Sequence, residues 1–365
     1  MTQVFQYSGK DIPTLEPDID DRIVELISLI RAETAKGKLV DMARLSQYFT
    51  LDVLTRIAFG APFGYLTRNE DVYHYIKQTT AFLSILELAS NFTFINNILS
   101  SRLMRPFAPK TTDKSGMGAM LGVAKDVVAE RYAPDARIYP DMMGSFLKCG
   151  LSQQEAESEA MLTILGGSDS TATAIRMTLL YVLTSPSAYV KLIAELDANV
   201  DSDSKPLIEY AVAKKLPYLQ ACIKEGLRMW PPFAGLQTKI APPGGETVNG
   251  VFLPGGIEIG YNQHSTMRRK EVFGADVNVF RPERWLEGVG EQLHEMERTL
   301  DMVFGSGRFS CLGKDVALME LSKIFPALLG EFEWSVVNPV KAMNTVCWGA
   351  HVQSDFLLSV RERGN

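Results

Sequence analysis

The sequence predicts a mostly α-helical fold with a small β portion late in the chain. Apolar residues recur at helical spacing through most of the chain as far as Trp230, as in the segment from Asp18 to Ala32. At Phe233 the character changes, because glycine, proline and β-branched residues then alternate through Gly260. With 46% hydrophobic and 22% charged residues, the chain of 365 residues has ample apolar material for a core.

The helices are predicted from apolar periodicity and from the residues that stop each one. In chain order they cover 18–32, 40–59, 71–88, 117–132, 152–183, a following stretch to 198, 216–230 and 314–329. Gly60 ends the second helix, and Pro134 ends the fourth. Ser152, with Glu155 three residues later, predicts a capping box at the start of the long helix.

Outside the helices the sequence predicts loops and short strands. The segment 91–109 is predicted to be irregular, and 111–116 and 201–206 are predicted loops. Short strands are expected over 233–260 and again over 332–360, whereas 277–313 is expected to be extended coil. We expect one domain over residues 1–365.

Charge and hydropathy exclude several classes of protein. The net charge is −6 and the sequence pI is about 5.4, whereas a nucleic-acid-binding protein is usually basic. No secretory signal is visible, and the longest apolar stretch, 160–183, is interrupted by Asp169 and Arg176, so it predicts a buried helix. From its sequence the chain is expected to be soluble and intracellular.

The cysteines and histidines show no metal-binding or disulfide pattern. The cysteines are widely spaced and form no CxxC pair, which argues against a disulfide scaffold or structural zinc. They are Cys149, Cys222, Cys311 and Cys347. The histidines form no HExxH or HxxxH pair, so a site with several histidine ligands is not predicted. They are His74, His264, His294 and His351.

One cysteine, Cys311, stands between glycines directly before the helix 314–329, in the run Phe304-Gly-Ser-Gly-Arg-Phe-Ser-Cys-Leu-Gly. Glycines let the backbone approach a ligand closely and adopt positive φ. Main-chain N–H groups in such a loop can point at the sulfur, and the following helix N-terminus adds partial positive charge. Both effects favour a thiolate. The alternative is a buried cysteine in a tight turn.

The middle of the long helix contains the run Gly166-Gly-Ser-Asp-Ser-Thr171. Each glycine costs roughly 1 kcal/mol relative to alanine in a helix, and a buried acid without a partner is also costly. The run therefore predicts either a groove against a ligand or a flexible kink with a solvated Asp169. The Ser170 hydroxyl could donate to the Gly166 carbonyl and open the helix locally.

A third segment, Glu225-Gly-Leu-Arg228, places an acid and a base three residues apart. Alone it is a weak signal, because such pairs are common on solvated helix faces. It is followed by Trp230-Pro-Pro and later by Phe280-Arg-Pro-Glu-Arg284-Trp. Together and in this order, the three segments resemble motifs of the cytochrome P-450 family. The resemblance covers nearly the whole chain, and the group most similar is fungal enzymes of the pisatin demethylase type.

The resemblance implies a haem-thiolate fold and assigns the haem-binding residues. Cys311 would be the axial ligand of the iron of haem b, and its thiolate would favour O–O cleavage. Other residues of the same loop would contact the haem: Phe304, Gly307, Arg308 and Gly313. The family commonly has arginine where this chain has Phe309, so Arg308 stands one position from the usual place of a propionate partner.

The same resemblance implies roles for the other two segments. Glu225 and Arg228 would pair with Arg284 and lock the loop that carries the cysteine, as a buried network with every member satisfied. Asp169 would relay protons, and Ser170, with Thr171 after it, would hold bound dioxygen through a hydrogen bond. The family usually has threonine where Ser170 stands.

Substrate-facing residues follow from the resemblance alone. They are Ile164, Leu165, Phe233, Ala234, Leu236 and the turn that begins at Trp348. For each of them, ordinary core or turn packing is the alternative. This lining fits an apolar small molecule.

The implied activity is that of a monooxygenase that activates dioxygen to hydroxylate or demethylate its substrate. Electrons would come from NADPH through a cytochrome P-450 reductase, and the protein would supply ligation, proton delivery and shape. The fungal likeness indicates secondary metabolism or detoxification. By resemblance the enzyme would lie on the cytosolic face of the endoplasmic reticulum membrane, whereas this chain, without an anchor, would be cytoplasmic.

Family members usually begin with a membrane anchor and with early helices and strands, one of which carries a WxxxR motif. None of these is visible here, so the fold is expected to lack them. Two alternatives follow: an inactive truncated fragment, and a non-oxidative haem-thiolate isomerase or dehydratase.

Overall fold

A computed structural model of the chain describes residues 12–104, 106, 108–199 and 207–364. It confirms a mostly helical fold with a small β portion. The helices are α1 (Leu15–Ala35), α2 (Met42–Phe59), α3 (Tyr65–Arg68), α4 (Tyr75–Asn91), α5 (Thr93–Leu99), α6 (Gly116–Arg131), α7 (Met142–Lys148), α8 (Gln153–Leu183), α9 (Pro186–Asn199), α10 (Tyr210–Ala213), α11 (Pro217–Met229), α12 (Gln263–Thr266), α13 (Lys270–Phe273), α14 (Arg284–Glu287), α15 (Gly290–Asp301) and α16 (Lys314–Glu331).

The strands are short and pair antiparallel. They are β1 (Val40–Asp41), β2 (Leu236–Ile240), β3 (Glu246–Val248), β4 (Val251–Leu253), β5 (Glu258–Asn262), β6 (Phe332–Val336), β7 (Asn344–Trp348), β8 (Ala350–Ser354) and β9 (Leu357–Glu362). In the 3-stranded sheet β9 lies between β1 and β6, so the chain end pairs with residues near its beginning. Strand pairs β2–β5, β3–β4 and β7–β8 each form a 2-stranded sheet.

Helices α2 and α8 lie against each other in the core. Asp41 caps α2 by accepting hydrogen bonds from main-chain N–H groups of its first turn. Ser152 and Glu155 form the predicted capping box at the start of α8. At Gly167 the two helices approach so closely that a Cβ would lie 2.8 Å from Leu54 Cδ1. This glycine therefore permits the packing of α8 on α2.

Helix α11 crosses α8 at a second close approach. A Cβ on Gly226 would lie 2.0 Å from Thr178 Oγ1, so only glycine fits between the two helices. The neighbouring Glu225 and Arg228 are consequently held in the interior, where both side chains are completely buried.

Several boundaries and one whole region differ from the sequence-based predictions. The prediction of extended coil over 277–313 is wrong in part, because α14 and α15 lie there. Helix α15 is mostly polar and buries only Met296, Thr299 and Leu300, so it contains too few apolar residues for the helix to be noticed in the sequence. The segment 91–109, predicted to be irregular, contains α5, and the predicted loop 201–206 lies outside the described residues.

Among the described helices, no single one is long and apolar enough to cross a membrane. The consecutive pair α8 and α9 has sufficient length and apolar composition together, but the pair is bent by 106°. Both helices bury residues in the protein core.

Candidate active site

Cys311 lies at the end of a tightly turned loop before α16. Two 3-10 turns, Met302–Phe304 and Gly307–Phe309, form this loop, and the Cys311 N–H donates to the Phe304 carbonyl at 2.6 Å. Gly305 has a φ of +75°, and a Cβ there would lie 2.5 Å from the Phe309 carbonyl oxygen. The loop therefore requires glycine at that position for both conformation and space.

The Cys311 thiol has an exposed face, whereas protein atoms surround its other sides. This partial burial raises the pKa of Cys311 above its ordinary value. The Gly313 N–H and the Lys314 ammonium act in the opposite direction and lower that pKa. Of the two effects predicted to favour a thiolate, the main-chain N–H is present, and the Lys314 charge adds to it, but burial outweighs both.

Side chains from β5 and α12 hold the start of this loop in place. The Tyr261 hydroxyl donates to the Met302 carbonyl at 2.8 Å. The Gln263 amide donates to the Met302 and Val303 carbonyls at 3.4 and 3.3 Å. Sequence reasoning missed both residues, because an isolated tyrosine or glutamine 40 positions from its partner carries no local signal.

Glu225, Arg228 and Arg284 form the predicted buried network. Arg228 donates to both oxygens of the Glu225 carboxylate, at 2.8 and 2.9 Å, and Arg284 donates to Oε1 at 3.0 Å. The Trp285 indole N–H donates to Oε2 at 2.9 Å, and the Arg281 main-chain N–H donates to Oε1 at 3.0 Å. The carboxylate is therefore fully satisfied, as burial of an ionised group requires.

Both arginines extend this network to the segment between α12 and α14. Arg228 donates to the Met267 and Val277 carbonyls at 3.0 and 2.8 Å. Arg284 pairs with Asp276 at 3.0 Å. Burial raises the pKa of Asp276, but hydrogen bonds from the two neighbouring arginines outweigh it and hold that pKa below its ordinary value. The network thus fixes the chain segment that leads to α15 and the Cys311 loop.

The two glycines in the middle of α8 have different environments. Gly167 contacts α2, as described above, whereas a Cβ on Gly166 would meet no described atom within 4 Å. The Ser170 hydroxyl donates to the Gly166 carbonyl at 3.1 Å, as predicted. Helix α8 continues from Gln153 to Leu183, so this bond is made within an unbroken helix. The open side at Gly166 leaves room for a ligand beside an intact helix.

Asp169 is not a solvated surface acid. It accepts a hydrogen bond from the Gln47 amide of α2, and that amide oxygen accepts from Arg176 at 3.3 Å. Burial raises the pKa of Asp169, and the positive charge of Arg176 partly offsets this. Thr171 is buried on the same helix. Gln47 was missed in the sequence, although the isolated Arg176 in an apolar helix was a signal that the interior contains a charged partner.

Four of the six residues assigned to the substrate lie on or near one junction of main chain. Ala234 donates from its N–H to the Gly349 carbonyl at 2.9 Å, and Phe233 forms a bridge with Ala350. These contacts bring Phe233 and Ala234 to the turn that follows Trp348, and Leu236 begins β2 just beyond. The turn also reaches α8, since the Thr173 hydroxyl lies 3.5 Å from the His351 carbonyl.

The remaining two substrate candidates differ in exposure. Ile164 is fully buried in the hydrophobic core, whereas its neighbour Leu165 is 41% exposed. Leu236 is 61% exposed, and Phe309, in the loop before Cys311, is 55% exposed. Apolar side chains so exposed indicate a surface that binds an apolar group.

Two cations lie against the Phe309 ring. The Lys239 ammonium is 4.2 Å from the ring centroid, and the Arg308 guanidinium is 4.7 Å from it. Lys239 belongs to β2, so the strand and the cysteine loop together place positive charge at one edge of the loop. Sequence reasoning named Arg308 but missed Lys239.

The family model for cytochrome P-450 matches residues 1–355 of the chain. The chain belongs to the cytochrome P-450 family. It is therefore an oxygen-incorporating oxidoreductase with a haem cofactor, and it requires dioxygen, a substrate and a redox partner.

Curated relatives and a solved structure agree with this assignment. The chain is 41% identical to cytochrome P-450 monooxygenase ABA1 of Pyricularia oryzae, over 98% of this chain and 72% of the relative. It is 40% identical to cytochrome P-450 monooxygenase aba1 of Botryotinia fuckeliana, with the same coverage. The crystal structure of the cytochrome P-450DA heme domain has the same fold, with a TM-score of 0.79 at 18% identity, covering all of this chain and 77% of that one.

The residues that the structure describes around Cys311 are suited to binding a haem. A flat apolar macrocycle with two carboxylates needs a sulfur ligand with an exposed face, apolar walls and nearby cations. Cys311 supplies the sulfur, and Phe309 in the same loop supplies exposed apolar surface. Arg308 and Lys239 supply positive charge, and a Cβ on Gly307 or Gly313 would meet no described atom within 4 Å.

Proposed function

We propose that this cytochrome P-450 hydroxylates or demethylates an apolar small molecule in fungal secondary metabolism or detoxification. The observation that carries this proposal is the Cys311 loop, which presents a sulfur with an exposed face before α16 in a glycine-shaped turn. Haem iron bound to that sulfur would supply the reductive activation of dioxygen.

Cys311 is the proposed axial ligand, and the loop residues around it would hold the haem. The Phe304 carbonyl accepts a hydrogen bond from the Cys311 N–H. The centroid of the Phe304 ring lies 5.4 Å from the Lys314 ammonium. Gly307 and Gly313 leave space for a flat group, and Arg308 would neutralise a propionate. Glu225, Arg228 and Arg284 would act indirectly, by fixing the chain that leads to the loop.

Asp169, Ser170 and Thr171 are proposed to supply protons and polar contacts to the reaction. Asp169 has a raised pKa because it is buried, so its carboxyl can take up and release a proton nearer to neutral pH than a solvated aspartate. The next residue, Ser170, has a hydroxyl that donates a hydrogen bond to the Gly166 carbonyl. A turn of that hydroxyl toward the open side of Gly166 would let it donate to bound dioxygen.

The substrate would lie against the apolar residues at the junction described above. Phe233, Leu236, Trp348 and Leu165 all expose apolar surface, which supports an apolar substrate because burying that surface would be favourable. Ala234 would contribute mainly through its main chain. Ile164 would act from the core, by supporting Leu165.

Electrons are proposed to come from NADPH through a cytochrome P-450 reductase, on the cytosolic face of the endoplasmic reticulum membrane. A fungal monooxygenase is supported by further similarity. The chain is 28% identical to cytochrome P-450 monooxygenase mpaDE' of Penicillium brevicompactum, over 94% of this chain and 41% of that relative.

The test is a reduced, carbon-monoxide difference spectrum of the chain reconstituted with haem. We expect the red-shifted Soret band of thiolate ligation in the wild type and in Cys149→Ala, and its loss in Cys311→Ala. Cys149 is an exposed cysteine far along the chain from the loop, so it is a matched control. A wild-type chain that binds haem without this band would refute the proposal.

Turnover distinguishes oxidation from isomerisation or dehydration. With reductase present, a monooxygenase consumes NADPH and dioxygen together with substrate. Product formation without either co-substrate would instead support a haem-thiolate isomerase or dehydratase.

A further inference from the structure

Gln47 connects two charged side chains of the same helix, of which Arg176 is buried and Asp169 is partly buried. Its amide nitrogen donates to Asp169 Oδ1, and its amide oxygen accepts from Arg176 Nη2 at 3.3 Å. Gln47 lies on α2, whereas Asp169 and Arg176 both lie on α8. One amide group therefore makes a hydrogen bond to each of the two charged side chains, as donor to the acid and as acceptor from the base.

The spacing on α8 explains why a third residue is needed. Asp169 and Arg176 are seven residues apart, so they occupy the same helix face but are separated by about 10 Å along the axis. Ion pairs within a helix form at spacings of three or four residues. The Gln47 side chain reaches into this gap from α2 and bridges it.

Arg176 is anchored independently of Asp169. Its Nε donates to the Ser46 hydroxyl at 3.0 Å, and its Nη2 donates to the Ala43 carbonyl. The guanidinium is 1% exposed, and burial lowers the pKa of Arg176 to about 10. It therefore stays charged at neutral pH and stays fixed against α2.

Charged and polar groups on several elements act on Asp169 in the described part of the chain. Arg176 is the charge that lowers the pKa of Asp169, and Asp41 lies near enough to Arg176 to act on it in turn. On α4, burial raises the pKa of Tyr75, and the nearby Asp169 carboxylate raises it further. Gln47 is thus a direct and uncharged contact of the carboxylate.

We propose that Gln47 is a positioning residue for the proton-relay acid: its amide holds the Asp169 carboxylate against α2 and links it to the anchored guanidinium of Arg176. This inference rests on the proposed role of Asp169 in proton delivery. An amide partner fixes the orientation of the carboxylate while adding no charge.

Gln47→Leu tests this assignment, because it removes both hydrogen bonds at similar volume. Loss of a hydrogen bond to the charged form should raise the pKa of Asp169 by about one to two units. That pKa is measured in the haem-loaded protein by infrared difference titration of the carboxyl band, with Asp169→Asn to identify it. With NADPH and a reductase, we also expect several-fold more hydrogen peroxide per NADPH consumed, because proton delivery fails.

Gln78→Leu is the matched control, since Gln78 is an exposed glutamine whose amide donates to Ser115. It should match the wild type in both measurements. Gln47→Glu is a second variant that preserves shape: its carboxylate beside Asp169 should also raise the pKa of the pair.

The outcomes are distinct. An Asp169 pKa and a peroxide yield that both equal the wild-type values in Gln47→Leu and Gln47→Glu would overturn the assignment. A raised pKa with unchanged peroxide yield would overturn its functional half. Absence of the thiolate band from the wild type would instead refute the proposed function, and this inference with it.

Discussion

Replacement of Arg284 should destabilise the protein and release its haem. Its side chain is 2% exposed and donates to Glu225 and Asp276 at 3.0 Å each, and to main-chain carbonyls. Arg284→Ala would leave the Glu225 carboxylate buried with one fewer donor. Breaking a buried ion pair by removing one partner costs about 3–5 kcal/mol. We therefore expect that loss in urea unfolding followed by circular dichroism, with a reduced haem content per chain.

Arg281→Ala is the matched control, because it makes the same substitution three residues away. The Arg281 side chain is 34% exposed, and its partners Asp276 and Glu287 are 37% and 63% exposed. Exposed pairs contribute about 0–1 kcal/mol, and the main-chain N–H that serves Glu225 is retained. If Arg284→Ala lost no more stability than Arg281→Ala, the network would not hold the cysteine loop as argued.

Further predictions concern α8 and pH. Gly166→Ala should stabilise the apoprotein by about 0.5–1 kcal/mol, since the added Cβ would meet no described atom. Gly167→Ala should destabilise it, because Leu54 would have to move. Equal melting temperatures of the two variants would contradict this prediction. Burial and a neighbouring histidine lower the pKa of His351 from 6.5 to about 4, so the unfolded chain binds the proton first as the pH falls. Stability from this group is complete above about pH 6.5 and is lost between about pH 6.5 and 4. His351→Gln should flatten this loss in urea unfolding at several pH values, and the exposed His294→Gln should not.

Much of the site could be predicted because its chemistry is carried by residues close together in the chain. The Cys311 loop, the run 166–171 and the acid–base pair at 225 and 228 are each contiguous segments. Their order along the chain added a signal that none has alone. The network with Arg284 was also predicted, since that residue stands in a distinctive segment of its own, and the structure joins all three charges through Glu225.

The partners of these residues could not be predicted, because they lie far away in the chain. Gln47 is 122 positions from Asp169, and Tyr261 is 41 positions from Met302. A single polar side chain on a helix or strand belongs to no repeating sequence pattern, so the sequence does not indicate which distant residue it contacts. Which of Ile164 and Leu165 faces outward was likewise undecided, because both are apolar and adjacent on α8.

The sequence by itself determined the fold class, the helix starts that depend on local caps, and the residues that are proposed to carry the chemistry. These depend on periodicity, side-chain hydrogen bonds within a turn, and short motifs, all of which act between near neighbours in the chain. Only the tertiary structure decided which surface of α8 is open and which is packed. At Gly167 the contact with Leu54 closes one side, and at Gly166 the other side is free. It also decided that Asp169 is held by Gln47, because burial and pairing depend on which helices meet in space.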